Sequence, residues 1–270
     1  MIVIKLMGGL GNQLFQYAFG KSIAIKNNDT LFLDLSYYEQ HAKNDTKRSF
    51  ELKHFDINYK IANEEILNLF INDNFDFKNR FLCKLNSFNR YKKIKEVSKD
   101  FDYRLIKNKG NLFYKGYFQN EKYFEDIKDI ISHEFRILKP LSNDYKPFLK
   151  QILETNSTFI HVRKTDFTNS INKITFDIVS DQFYLDAIEK MEKNNTDIVF
   201  FCFSDDISYC KNLFKHNKNI IFVEVKNANS VDEFNLMSQC KNSIFGNSTF
   251  AWWASWINKS ERKISINKFK

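Results

Sequence analysis

From residue 157 onward the chain switches between two spacings of apolar residues, and the switching predicts its architecture. Ser157–Val162 is a short run rich in β-formers and predicts a strand. Asp181–Lys193 sets Phe183, Tyr184, Ala187, Ile188 and Met191 at helical spacing. Asp197–Phe203 is nearly continuous in apolar residues, as a strand buried on both faces requires. Ile207, Cys210, Leu213 and Phe214 then mark a helix, Asn219–Val225 a strand, and Phe234 with Met237 a further helix. Ser243–Gly246 reads as a strand, Phe250, Trp253, Ala254 and Ile257 line a helix, and Lys263–Ile266 closes as a strand. Such alternation predicts parallel βαβ units, with the strand C-termini aligned along one ligand-binding edge.

The first half opens in the same way. Ile2–Leu6 predicts a strand, Asn12–Lys26 a helix with Phe15, Phe19 and Ile23 on one face, and Leu31–Leu33 a second strand. Between 40 and 110, charge runs mix with aromatic residues and the pattern orders no elements. The only prolines, Pro140 and Pro147, fall in the polar stretch Lys139–Pro147, which predicts a linker. We therefore expect two domains, 1–145 and 146–270, with the second binding the nucleotide.

At 270 residues the chain has room for two such domains. No stretch approaches the roughly 20 apolar residues that span a bilayer. Residues 1–6 read as a strand rather than a signal peptide, so a cytoplasmic location is expected, with at most peripheral contact with the inner face of a membrane. Cys83, Cys202, Cys210 and Cys240 form no CxxC pair and have no histidine at zinc spacing; all four are expected to be reduced thiols. The net charge of +8 comes from scattered lysines. A solvated basic surface, a nucleotide-sugar ligand, an anionic lipid surface or nucleic acid would each account for its sign.

Four short motifs carry candidate chemistry. Gly8-Gly9-Leu10-Gly11-Asn12-Gln13 follows a strand and opens a helix, so it is either a tight βα turn or a cradle for phosphate or sugar. His161-Val162-Arg163-Lys164-Thr165-Asp166 follows another strand; His161 and Arg163 share a face, and Arg163 is suited to phosphate oxygens unless it belongs to a surface ion pair. Ser204-Asp205-Asp206 ends the buried strand, where an acidic helix cap and a nucleotide contact are both open readings. Asn247-Ser248-Thr249 precedes the tryptophan-rich helix and supplies its cap; free amides at that helix end would also hold a diphosphate. Trp252, Trp253 and Trp256 read as packing residues. A fifth pattern, Asp100-Phe101-Asp102, matches the DxD of metal-dependent glycosyltransferases, although so short an acidic pattern arises easily by chance.

Taken together and in order, these residues resemble glycosyltransferase family 11, the bacterial α-1,2-fucosyltransferases. The opening is similar to Gly8–Ala18, the HxRRxD motif to His161–Asp166, and the Phe-Ser-Asp-Asp motif to Phe203–Asp206. The closing motif is similar to Leu236-Met237-Ser238 through Asn247–Trp253. The resemblance implies an α/β chain with the GT-B fold, two Rossmann-like halves facing a central cleft, the first on the acceptor side. It implies inverting transfer of L-fucose from GDP-β-L-fucose to the 2-hydroxyl of a galactoside in a surface glycan, lipid-linked oligosaccharide included. No metal, cofactor or nucleic acid is implied. Arg163 would hold the β-phosphate, His161 would border the nucleoside, and Ser248 and Thr249 would contact the phosphates. Asn12, beside Gly11, would approach them from the other half. An acidic residue ahead of Leu236 would read guanine; it is Glu233 where Asp is expected, with Asp232 beside it. Lys164 replaces the second Arg of HxRRxD, which keeps charge but loses bidentate geometry. Ser204, Asp205 and Asn247 complete the expected donor site. If the reaction uses a base, Asp166 is the first candidate, then Asp177 and Asp181. The rivals are a transferase for another GDP-deoxyhexose, a metal-dependent GT-A enzyme and a non-catalytic nucleotide-binding protein.

Overall fold

The structure is a computed structural model, and it describes residues 1–39, 48–71, 91–164, 179–194, 197–261 and 263–269. The chain divides into two compact units, Met1–Leu138 and Lys139–Lys270. This boundary lies earlier than the 145/146 expected from the prolines. The reason is local: Lys139 and Ser142 both bond the carboxylate of Asp232, which ties the linker stretch to the second unit.

In the first unit, β1 (Ile2–Lys5), β2 (Leu31–Asp34), β3 (Lys60–Ile61), β4 (Tyr91–Lys95) and β5 (Asn111–Lys115) form a parallel sheet in the order β3-β2-β1-β5-β4. The Leu10–Lys26 helix packs against it. Leu14, Phe15, Tyr17, Ala18, Phe19 and Ile23 are all buried, so this helix is enclosed on most sides rather than along one stripe. Phe19 stacks on Phe118 with ring centroids 3.9 Å apart and meets Tyr114 edge-on. Gly8, with φ +76°, makes the turn out of β1; a side chain there would also strike the Asn12 amide.

The second unit carries β6 (Asn156–Val162), β7 (Ile198–Ser204), β8 (Ile220–Phe222), β9 (Asn242–Phe245) and β10 (Ser265–Asn267). They form a second parallel sheet in the order β10-β9-β6-β7-β8. β6 is therefore the first strand of its unit and lies between the second, β7, and the fourth, β9. The chain's direction of winding reverses across the β6–β9 pair, and in open α/β sheets such a switch point opens a crevice at the strand C-termini. Ile160, Phe200, Cys202 and Ile244 fill the core between this sheet and the Asp181–Asn194 helix, together with Tyr184, Ile188 and Met191. Cys202, Cys210 and Cys240 are buried free thiols, while Cys83 lies outside the described residues.

Candidate active site

The ends of β9, β6 and β7 stand side by side and carry three of the four sequence motifs. His161 is paired in register with Phe203 on one neighbour and Phe245 on the other. Arg163 and Lys164 follow directly. Register therefore brings His161–Lys164, Ser204–Asp206 and Gly246–Thr249 to one edge, with the β6–β9 switch point at its middle.

His161 Nδ1 is buried and has no hydrogen-bond partner among the described residues. Burial and then the charge of Arg163 push the His161 pKa down to about 4, against an opposing pull from Asp205. The imidazole is therefore neutral near pH 7, and Arg163 is the cation of this pair. The Asp205 carboxylate accepts the backbone N–H of Lys164 at 2.8 Å, linking the loop after β6 to the loop after β7. Ser204 Oγ accepts from the Asp206 amide at 3.0 Å, and Asp206 caps the Ile207–Leu213 helix through the Tyr209 amide. The ordinary cap reading thus holds for Asp206. Lys164 Nζ lies 3.9 Å from the centre of the Tyr209 ring and 3.7 Å from Asp181, whose carboxylate also accepts the Tyr209 hydroxyl. The second position of the basic motif is therefore held against its own unit.

Ser248 is the N-cap of the Thr249–Ile257 helix: its Oγ accepts the Ala251 amide, and its carbonyl accepts the Trp252 amide. The amides of Thr249 and Phe250, in the first helical turn, have no acceptor within the helix. Gly246 is tight here, because a Cβ would fall 2.7 Å from Val179 and 2.9 Å from the Tyr184 hydroxyl. Asn247 is half-buried at the same turn. Trp253 is buried, with Trp252 and Trp256 packed on it at 4.9 and 5.1 Å between ring centres, as a packing role requires.

The two adjacent acids on the Ser230–Gln239 helix divide their roles. Asp232 is buried and bonded by Lys139, Ser142 and Asn229. Burial pushes its pKa up, but these bonds outweigh it and hold the carboxyl below its ordinary range. Glu233 has no hydrogen bond or ion pair to its carboxylate among the described residues. Burial, reinforced by the nearby Asp205 charge, raises its pKa to about 7. The spent acid is therefore Asp232 and the available one is Glu233. Sequence alone misses this distinction, since Lys139 and Ser142 lie about 90 residues away along the chain.

The glycine-rich motif belongs to the first unit and behaves differently. Gln13 donates to the carbonyls of Gly8 and Ser49 and accepts the Glu51 amide. Gln16 accepts the Met7 amide and donates to the Gly116 carbonyl. Gly11 is buried within the helix, and Asn12 Oδ1 accepts from Gln119, a partner that no motif announces. Asp102 caps the Tyr103–Ile106 helix and is ion-paired to Arg104, so the DxD pattern has a local structural role. Among the described residues no group of three His, Cys, Asp or Glu side chains could hold a metal ion. Asp166 and Asp177 lie outside the described residues.

The model of Glycosyl transferase family 11 matches residues 1–269. The chain belongs to this family. The α-1,2-colitosyltransferase of Escherichia coli is 30% identical over 98% of this chain and 90% of its own length. The O-antigen biosynthesis glycosyltransferase WbnK, also of E. coli, is 31% identical over 98% of this chain and 93% of its own. Among solved structures, the fucosyltransferase NodZ from Bradyrhizobium matches with a TM-score of 0.54 at 13% identity, covering 94% of this chain and 92% of its own. The family 11 chain is thus a glycosyltransferase with the GT-B fold, built of two α/β units with five-stranded parallel sheets. No helix among its described residues is long and apolar enough to cross a membrane.

Proposed function

We propose that the chain transfers L-fucose from GDP-β-L-fucose to the 2-hydroxyl of a galactoside, with inversion and without a metal. The observation that carries this reading is the grouping, at one switch point, of a cation and first-turn helix amides, with a carboxylate near Asp205 that has no partner among the described residues. Arg163 and the amides at Thr249 and Phe250 suit the two phosphates. Glu233 suits the N1–H and amino donors of guanine, which a carboxylate accepts as a pair. Asn247, Ser248 and His161 would border the same nucleotide, and Asp205 would hold the Arg163 loop against it. The first unit is the proposed acceptor side.

In the reaction, the acceptor oxygen bonds to the anomeric carbon as the bond from that carbon to the β-phosphate oxygen breaks. Charge builds on the leaving GDP, where Arg163 and the helix amides stabilise it; pre-aimed groups of this kind commonly supply the largest catalytic share. The acceptor hydroxyl releases a proton, for which Asp166 is the proposed base. Asp181 is the weaker choice, since Tyr209 and Lys164 already engage it.

A second donor is favoured by one finding: a relative at 30% identity is named a colitosyltransferase. Colitose is fucose without its 3-hydroxyl, so the two donors present the same diphosphate and base. The acceptor is proposed to be a surface glycan under assembly, presented as a lipid-linked oligosaccharide at the cytoplasmic face of a membrane. The test is an assay of GDP-fucose and GDP-colitose against β-galactosides in EDTA, with linkage analysis of the product. A fucosyl-α-1,2-galactoside is expected. Turnover of GDP-colitose alone would move the chain to the second donor, and activity restored only by Mn²⁺ would end the metal-free reading.

A further inference from the structure

The first unit contains a cavity of about 490 Å³ that the donor residues do not explain. It opens at the C-terminal ends of β4, β5 and β1, where Lys95, Lys115 and Lys5 reach it from neighbouring strands. Lys95 and Lys115 are directly paired across β4 and β5. Like charges facing each other in this way destabilise a sheet. Lys93 adds a fourth ammonium from the same face of β4.

Little among the described residues offsets this charge. Asp34 pairs with Lys5 at 3.6 Å. Glu96 follows Lys95, but its carboxylate accepts the amides of Tyr117 and Phe118. Lys93, Lys95 and Lys115 have no acidic partner among the described residues. Leu67, Phe70 and Phe113 form an apolar wall beside them. The cavity is of ordinary size for a small-molecule site, and it combines convergent cations with apolar surface.

We propose that this cavity binds a phosphate, pyrophosphate or carboxylate group carried by the acceptor. Assigning the anion to the acceptor rests on the transferase reading above; the binding of an anion does not. The anion supplies the ammonium groups with the missing counter-charge, and the apolar wall takes the body to which the anion is attached. Two sources share this chemistry, the pyrophosphate of a lipid carrier and the carboxylate of an acidic sugar.

The test is thermal unfolding of the full chain saturated with GDP, titrated with inorganic pyrophosphate. The native protein should gain further stability over its GDP-bound value. The variant carrying Lys95→Gln and Lys115→Gln should keep the GDP shift, lose the pyrophosphate shift, and melt no lower than native without ligand. Lys95→Arg with Lys115→Arg should retain both shifts, which controls for folding. Geranyl diphosphate and a glucuronic-acid disaccharide then serve as two further probes. A larger shift with the first assigns the lipid carrier, and a larger shift with the second assigns the acidic sugar. No pyrophosphate shift above GDP, or an equal shift in the glutamine variant, would overturn the proposal. Absence of the GDP shift in every protein would instead count against the donor reading.

Discussion

The two sheets present the same kind of edge, yet they use their polar groups in opposite ways. At the end of β1, the side chains of the glycine-rich motif are turned inward: Gln13 and Gln16 are buried and bonded to backbone at both ends of their amides. Around the ends of β6 and β9, several groups have no partner among the described residues: His161 Nδ1, two amides of the first helical turn, and the Glu233 carboxylate, which feels the Asp205 charge. A buried polar group without a partner costs about 1–3 kcal/mol. In the proposed function the donor completes those around β6 and β9. A motif in sequence can thus mark either a scaffold or a contact surface, and the bonding of its side chains tells which.

The largest expected effect separates the two edges by kinetics. Arg163→Ala should lower kcat by ~100-fold or more with little change in melting temperature. Gln13→Ala should do the reverse: a loss of roughly 1–3 kcal/mol in stability and a kcat close to native. Steady-state rates and thermal melts of the two variants check both. Equal losses of kcat would erase the contrast.

Next comes the unpaired carboxylate. Glu233→Gln should raise the KM for the donor by about 10-fold or more, because a charge-assisted pair of hydrogen bonds is lost. Asp232→Asn should instead lower the melting temperature, since Lys139 loses its charged partner.

The pH dependence sharpens this division. In its proposed role Glu233 accepts from guanine only when ionised, and burial raises its pKa to about 7. As pH falls below that value the protonated fraction grows, so donor KM should rise, by about tenfold per pH unit at the limit. Above it, KM should level off. In Glu233→Gln the acid-side rise should vanish, and donor titrations between pH 5 and 8 would reveal it.

The smallest effects concern the β9 turn. Gly246→Ala would press on Val179 and Tyr184 and should cost about 1–3 kcal/mol. Ser248→Ala removes the cap and should cost about 1 kcal/mol. Both are read by chemical denaturation.

The second unit is legible in the sequence because its strands and helices are long enough to show their periods, β7 most plainly. Its edge strand β8 is shorter than the pattern suggests, covering Ile220–Phe222 rather than Asn219–Val225, as the margin of a sheet allows. Residues 40–110 are opaque for a physical reason: β4 reads Tyr-Lys-Lys-Ile-Lys, an exposed edge strand whose charges hide its alternation. The site is legible as motifs but not as roles. Nothing local distinguishes Asp232 from Glu233, or marks Gln119 as the partner of Asn12. Each role depends on contacts with residues far away in the chain.

The most direct measurement is a crystal structure of the complex with GDP. The expected result has the diphosphate within about 3 Å of the Arg163 guanidinium and the Thr249 amide, with guanine on the Glu233 carboxylate. A diphosphate bound away from residue 163, or held by a divalent ion in its place, would contradict it.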